Sequence, residues 1–159
     1  MSAPASSAGN KGATASDRGP VQHVVFRVDT TRYALPLAAV REVVVQPEGL
    51  VRVPRAPGPV LGVVNLRGRV VTVVDFAPLL ELPGPAQPQR KLILLDRGRR
   101  DLALSVTDVE GIETVEKVST QPRESRAPVR GVTRVKGVAV TVLDTDALDL
   151  AVTHLFDRG

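Results

Sequence analysis

The chain has 159 residues, a formal net charge of +4, no cysteine and only 3% aromatic residues. The lack of cysteine excludes disulfides, thiolate nucleophiles and cysteine-ligated metals, and no apolar run approaches the ~18 residues that a membrane-spanning helix needs. The apolar fraction is 43% and valine dominates it. This composition favours β-strands, because β-branched side chains fit a pleated, half-buried surface.

The two ends of the chain are expected to be tails. The first twenty residues are rich in alanine, serine and glycine and lack the apolar stretch of a secretion signal. A segment of this composition buries too little apolar surface to fold, so we expect residues 1–20 to be disordered and the protein to be cytoplasmic. The folded domain is expected to span residues 21–150, with a C-terminal tail at residues 151–159.

The first half of the domain predicts five short strands. They are HVVFRVD, RYALPL, AAVREVVVQ, LGVVNL and RVVTVVD, at residues 23–29, 32–37, 38–46, 61–66 and 69–75. The last two form a hairpin around Arg67 and Gly68, because glycine supplies the positive φ of a tight turn, and the Asn65 side chain can bond within it. The proline-rich loop RVPRAPGP, residues 52–59, comes before this hairpin and is expected to be extended. Gly62 is expected to permit a close backbone approach.

The second half repeats this plan 69 residues later, in KLILLD, DLALSV, VEGIETVEKV, VRGVTRV and VAVTVLD. Thirteen of the 58 positions that align residues 23–80 with 92–149 are identical, including the pairs Gly62/Gly131, Gly68/Gly137 and Asp75/Asp144. Both aspartates end a strand before a helical fragment and are expected to be N-caps. The repeat predicts an all-β fold of two small five-stranded SH3-like β-barrel subdomains with short helical segments, at about residues 21–85 and 90–150.

The positive charge requires nucleic-acid binding to be considered. Basic residues are scattered among acidic ones, and the densest cluster, RGRR at residues 97–100, lies between two predicted strands and is interpreted as a solvated turn. A nucleic-acid binder usually adds aromatic side chains for base stacking, and this chain has three phenylalanines and one tyrosine. A basic β-barrel that binds RNA or DNA is therefore kept as the alternative function.

Catalytic motifs are weak in this chain. A pair of aspartates on duplicated β halves suggests an aspartic protease, but Asp75 and Asp144 lack the small residue and glycine that should follow each. His23 and His154 have no second histidine close to them in the sequence, so both are interpreted as surface or strand-end residues rather than ligands. The chain has no phosphate-binding loop, HExxH or GxSxG motif. The sequence predicts a non-catalytic protein with neither cofactor nor metal.

Four segments in order resemble a known family. They are FRVDTTRYALPLAAVREVV, RVPRAPGPVLGVVNLRGRVVTVVDF, LALSVTDVEGIETV and GVTRVKGVAVTVLDTDAL, and they cover about residues 22–150. This pattern is similar to the CheW-like family of bacterial chemotaxis coupling proteins, and GVVNLRG is its most specific element. The resemblance implies a pair of five-stranded β-barrels packed side by side, acting as an adaptor without chemistry of its own.

The resemblance also implies partners and contact residues. The expected partners are the regulatory domain of a CheA-type histidine kinase and the cytoplasmic tip of a methyl-accepting chemoreceptor, in a signalling array at the membrane, with no nucleic acid and no membrane insertion. Arg67 matches the arginine of the NLRG motif, and Val40 and Glu42 lie where family members contact the receptor. Asn65 is the fourth candidate contact residue, although it can equally shape the turn, and Val40 can equally belong to the core.

Overall fold

Ten strands and two helices occur in the part of the chain that the structure describes. The computed structural model describes residues 19–56, 58–82, 91–96, 101–120 and 127–157. The strands are β1 (Val21–Val28), β2 (Thr31–Pro36), β3 (Val40–Val45), β4 (Val60–Leu66), β5 (Arg69–Asp75), β6 (Lys91–Leu95), β7 (Leu102–Val106), β8 (Asp108–Val115), β9 (Val129–Val135) and β10 (Val138–Leu143). The helices are α1 (Phe76–Leu79) and α2 (Thr145–Asp157), and a 3₁₀ turn occupies Leu37–Ala39. Every strand predicted from the sequence is present.

The strands form two sheets of five. Sheet A has the order β8-β1-β2-β10-β9, and sheet B has the order β3-β6-β7-β5-β4. Neighbours are antiparallel except for the parallel pairs β2 with β10 and β5 with β7. The first repeat contains β1–β5 and the second contains β6–β10. If the strands of each repeat are numbered one to five, the strand order of both sheets is three-one-two-five-four. The duplication predicted from the sequence is therefore present in the fold as two equivalent sheets.

The prediction of one closed barrel from each half is wrong in two respects. Sheet A combines β1 and β2 of the first half with β8, β9 and β10 of the second half. Sheet B combines β6 and β7 of the second half with β3, β4 and β5 of the first half, so the halves exchange strands. Within the described residues neither sheet closes into a barrel, because β8 and β9 are the outer strands of sheet A, and β3 and β4 are the outer strands of sheet B. Alternating apolar residues show that a strand has a buried face, but they do not specify its neighbours.

Buried side chains form one shared core and two smaller ones. The shared core contains Phe26, whose ring stacks on Phe76 and Tyr33 with centroid distances of 5.5 Å and 5.9 Å. Each sheet has in addition a small core of its own. Core A contains Val25, Ala34, Val140 and Val142, and core B contains Val64, Val71, Val73, Leu92, Leu94 and Ala103.

Helix α2 corrects the prediction of a C-terminal tail from residue 151. The helix continues to Asp157, and its apolar positions Leu148, Val152 and Leu155 follow the spacing of one helical face. Leu148 and Val152 are buried in the shared core, and Leu155 packs against it. These contacts account for the extra helical turns. Residues 1–18 and the RGRR segment lie outside the described residues.

Candidate functional site

The β4–β5 hairpin carries the most specific motif of the sequence. Arg67 and Gly68 form its two-residue turn with φ values of 53° and 85°. Positive φ at both positions matches a type I′ turn, whose twist suits a right-handed hairpin. The backbone N–H of Gly68 donates to Asn65 Oδ1 over 2.9 Å. Asn65 and Gly68 therefore shape the turn that presents the Arg67 side chain to solvent.

Arg67 lies against Glu42, which is 25 positions earlier in the chain. The guanidinium Nη2 of Arg67 donates to Glu42 Oε2, and the arginine side chain is 65% exposed. Glu42 belongs to edge strand β3, whereas Arg67 lies at the end of edge strand β4. The ion pair thus links the two outer strands of sheet B. An exposed pair of this kind stabilises a fold by at most about 1 kcal/mol, so stability alone does not account for it.

Val40 is positioned differently from the other candidates. It pairs with Leu95 of β6, next to an irregularity of register, and packs half-buried against the shared core. These contacts give the Val40 side chain a structural role in core packing. A receptor contact at Val40 stays a prediction.

Gly62 holds the loop before the hairpin against β4. Val51 and Val63 exchange backbone hydrogen bonds of 2.9 Å and 2.8 Å, and a Cβ at Gly62 would overlap the carbonyl oxygen of Val51. Its φ of +151° is also one that side-chain-bearing residues rarely adopt. Gly131 makes the same close approach to Ser119 in sheet A. The expected close backbone contact is therefore present in both repeats.

Asp75 and Asp144 cap the two helices. Asp75 Oδ1 accepts from the backbone N–H of Ala77, and Asp144 Oδ1 accepts from that of Ala147, each over 3.0 Å. Each aspartate N–H also donates over 2.8 Å to a proline carbonyl, that of Pro59 or Pro128. Both carboxylates thus have the structural role expected of an N-cap.

A row of valines, two of them exposed, lies beside the β4–β5 hairpin and was not predicted from the sequence. Val70 pairs with Asn65 and Val63 pairs with Thr72 across the hairpin, while Val51 pairs with Val63 from the other side. Paired residues project from the same face of a sheet. We call Val51, Val63 and Val70 the valine face; Val51 is 61% and Val70 65% exposed.

Two of the three equivalent positions in sheet A carry a smaller or more polar side chain. The bridge of Val51 to Val63 corresponds to that of Ser119 to Val132, and Val70 corresponds to Ala139. Ser119, Val132 and Ala139 line one open groove of about 700 Å³, which shows that these positions share a surface. Aligning the two repeats would have revealed the valine face as an apolar surplus in the first repeat.

Two further charged sites bear on the electrostatics. Lys91 Nζ in sheet B donates to Asp108 Oδ1 in sheet A over 3.0 Å, and this hydrogen bond is the main reason that the pKa of Asp108 lies below its usual value. His23 was expected to be a surface or strand-end residue; it lies near the start of β1, but it is not on the surface, because it is only 1% exposed. Burial is the main reason that its pKa lies below that of a free histidine. His154 lies on an exposed position of α2.

Among the described residues, no cluster of three or more histidine, aspartate or glutamate side chains is arranged to hold a metal ion. Within those same ranges, neither helix has the length and apolarity to cross a bilayer. The β4–β5 hairpin thus combines an arginine turn, an ion pair between sheet edges and an apolar face.

Comparison with known proteins identifies the family. The family model of the CheW-like domain matches residues 22–151. The chain belongs to the CheW-like family. A chemotaxis protein CheW of Rhizobium meliloti is 30% identical over 135 residues, which cover 79% of this chain and 84% of that protein. A probable chemotaxis protein CheW of Rhizobium etli is 28% identical over 143 residues, 83% of this chain and 89% of that protein.

The fold agrees with this assignment. The crystal structure of the scaffolding protein TtCheW from Thermoanaerobacter tengcongensis superposes with a TM-score of 0.68 and covers 79% of this chain and 89% of that one. The two sequences are 21% identical, so this likeness concerns the fold. Together with the family match, it makes the chain a chemotaxis coupling adaptor of a scaffold family.

Proposed function

We propose that this protein couples the cytoplasmic tip of a methyl-accepting chemoreceptor to the regulatory domain of a CheA-type histidine kinase. Membership of the CheW-like family supports this role. The observation that relates this role to particular residues is the geometry of the β4–β5 hairpin, which places the charged Arg67 beside an exposed apolar face. The protein acts by holding partners in a complex, without catalysing a reaction, and works in the cytoplasm at receptor arrays.

The Arg67 turn supplies the directional part of the contact. An arginine carries five donors in a planar fork that can bind a carboxylate or carbonyl in two places. Its contact with Glu42 uses Nη2, so the remaining donors can engage a partner. Because Glu42 holds the side chain over the edge of sheet B, less side-chain freedom is lost when a partner binds.

The valine face supplies the apolar part of the contact. Burying one exposed valine side chain stabilises a complex by roughly 1.5 kcal/mol or more. The face lies on the same hairpin as Arg67, since Val70 pairs with Asn65 two residues before the turn arginine. An apolar centre with an arginine at its rim is the usual composition of a protein interface.

The surface is large enough for two partners at once. The accessible surface is 9255 Å², and a standard interface covers about 800 Å² on each partner. Two such contacts would therefore occupy less than a fifth of the surface. A ternary complex of receptor, adaptor and kinase fits on this protein without competition for area.

Charge reversal at Arg67 tests the proposal. Arg67→Glu removes the fork and places two carboxylates together, so we expect weaker binding to receptor tip or kinase regulatory domain in calorimetric titrations. The matched control is Lys136→Glu, because Lys136 occupies the equivalent turn of sheet A, pairs with Glu113 over 3.3 Å and is also exposed. The control should bind as the unchanged protein does.

Two results would refute this assignment. If Arg67→Glu binds both partners with unchanged affinity, Arg67 is not part of the contact. If the unchanged protein recovers neither kinase nor receptor from native complexes, the coupling role itself is wrong. No observation favours the nucleic-acid alternative; that function would require an affinity for a random oligonucleotide that falls steeply with salt.

A further inference from the structure

The small cores of the two sheets differ in polarity. Moving the six residues of core B by 69 positions gives their equivalents in sheet A. Four of the six stay apolar, but Val64 is replaced by Thr133 and Leu92 by His23. Thr133 satisfies its hydroxyl by donating over 2.6 Å to the carbonyl oxygen of Lys117. Of these two polar replacements, His23 is the ionisable one, and it stands where the other repeat has the apolar Leu92.

His23 is buried with one ring nitrogen unpartnered. The Nδ1 atom lies 3.0 Å from the carbonyl oxygen of Val21. A carbonyl only accepts, so Nδ1 carries the proton and Nε2 presents its lone pair. Nε2 is buried and has no hydrogen-bond partner among the described residues. This is the atom that takes up a proton when the imidazole is acidified.

Arg130 is the charged neighbour of His23. Arg130 is equivalent to Leu61. Leu61 packs against core B, and core B contains Leu92, the equivalent of His23. The pair of leucines in sheet B thus corresponds to a histidine and an arginine in sheet A. Arg130 Nη2 is likewise buried and unpartnered among the described residues. Its positive charge adds to the effect of burial in lowering the pKa of His23.

Among the described residues, the strands that pair with β1 place one acidic group opposite His23. On β8, Glu113 lies directly opposite His23, but its carboxylate is engaged by Lys136. On β2, the opposite residue is the uncharged Pro36. The charge that opposes protonation is therefore that of Arg130.

We propose that His23 and Arg130 make sheet A a pH-sensitive half of the molecule. Protonation of His23 Nε2 creates a second cationic donor near the buried Nη2 of Arg130, and neither of these two nitrogens has a hydrogen-bond acceptor among the described residues. Sheet A then loosens in mild acid, whereas sheet B, with leucines at the equivalent positions, keeps its packing. Acidity would thereby act on one sheet of the adaptor and leave the other unchanged.

The direction of the pH dependence follows from linkage. Because folding lowers the pKa of His23, the unfolded chain binds the proton more readily than the folded protein. The stability contributed here is complete above about pH 6.5, the ordinary histidine pKa, and declines as the pH falls from there toward the folded pKa. The carboxylate of Asp108 loses its stabilising contact in a more acidic range, since its pKa is lowered from 3.8.

Titration of the native protein by nuclear magnetic resonance tests the first step. The ring protons of both histidines are followed with pH, and the variant His154→Gln assigns the two signals. We expect His23 to titrate below 6.5, the ordinary histidine pKa, and Arg130→Gln to move the His23 midpoint upward. A His23 midpoint at or above 6.5 would overturn the proposal, and this outcome is read on the unchanged protein.

Hydrogen exchange tests the second step. After correction for intrinsic rates, amide protection in β1 and β10 should fall more between about pH 7.5 and about pH 5.5 than protection in β5 and β6. The variant His23→Leu with Arg130→Leu copies the sheet B pair and should remove this difference. Equal loss of protection in both sheets, or an unchanged difference in the double variant, would contradict the proposal.

Discussion

Sheets A and B have the same strand order and differ in what their equivalent positions carry. Sheet B has a wholly apolar small core, an arginine turn and exposed valines beside that turn. Sheet A has a histidine and a threonine at two of the equivalent core positions, a lysine turn, and serine and alanine on the corresponding face. The glycine contacts, helix caps and edge-to-edge ion pairs occur in both. The shared features thus belong to the fold, and the differing features indicate function.

The largest effect is expected at the shared glycines. Gly62→Ala places a Cβ against the carbonyl oxygen of Val51 and forces a strained φ of +151°. We expect a loss of about 2–4 kcal/mol in the free energy of unfolding, measured by urea denaturation. Gly131→Ala meets the same overlap without the strained φ and should lose less. A smaller loss of stability for Gly62→Ala than for Gly131→Ala would contradict the expected effect of the strained φ at Gly62.

The next effect is expected at the two caps. Removing an N-cap carboxylate costs about 1 kcal/mol, so Asp75→Ala and Asp144→Ala should each lower the free energy of unfolding by about that amount. Asp75→Asn and Asp144→Asn keep the acceptor oxygen and should be nearly neutral. If the asparagine variants are as unstable as the alanine variants, the carboxylates do more than cap helices.

The smallest effect on stability is expected from the ion pair of Arg67 and Glu42. A double-mutant cycle with Arg67→Ala and Glu42→Ala should give a coupling energy below about 1 kcal/mol that decreases with added salt, because the pair is exposed. The same cycle on Lys136 and Glu113 serves as the sheet A reference. A coupling energy well above 1 kcal/mol would mean that Arg67 serves the fold rather than partner binding.

Local signals in the sequence predicted much of this structure. The strands, the type of hairpin at Arg67 and Gly68, the close approach at Gly62 and the two caps all follow from short-range patterns. The exchange of strands between halves does not, because a strand's neighbours are chosen by packing across the whole chain. The meeting of Arg67 with Glu42 depends on that same long-range arrangement.

Two features were missed although the repeat contained a signal for them. Comparing the halves position by position pairs His23 with Leu92, which marks a polar residue at a core position. The same comparison pairs Val70 with Ala139, which marks a larger apolar side chain on the sheet B hairpin than at the equivalent position of sheet A. Positions at which both repeats carry the same residue indicate features of the shared fold. Positions at which the repeats carry different residues indicate where the two sheets differ in function.

Exchanging the valine face for its sheet A counterparts tests the account most directly. The variant Val51→Ser with Val70→Ala gives sheet B the residues found in sheet A, and its affinity for the kinase regulatory domain and the receptor tip is measured by calorimetry. We predict that the variant folds normally and binds at least one of the two partners about tenfold more weakly for each valine replaced. Unchanged affinity for both partners, in a variant that still folds, would contradict the assignment of docking to sheet B.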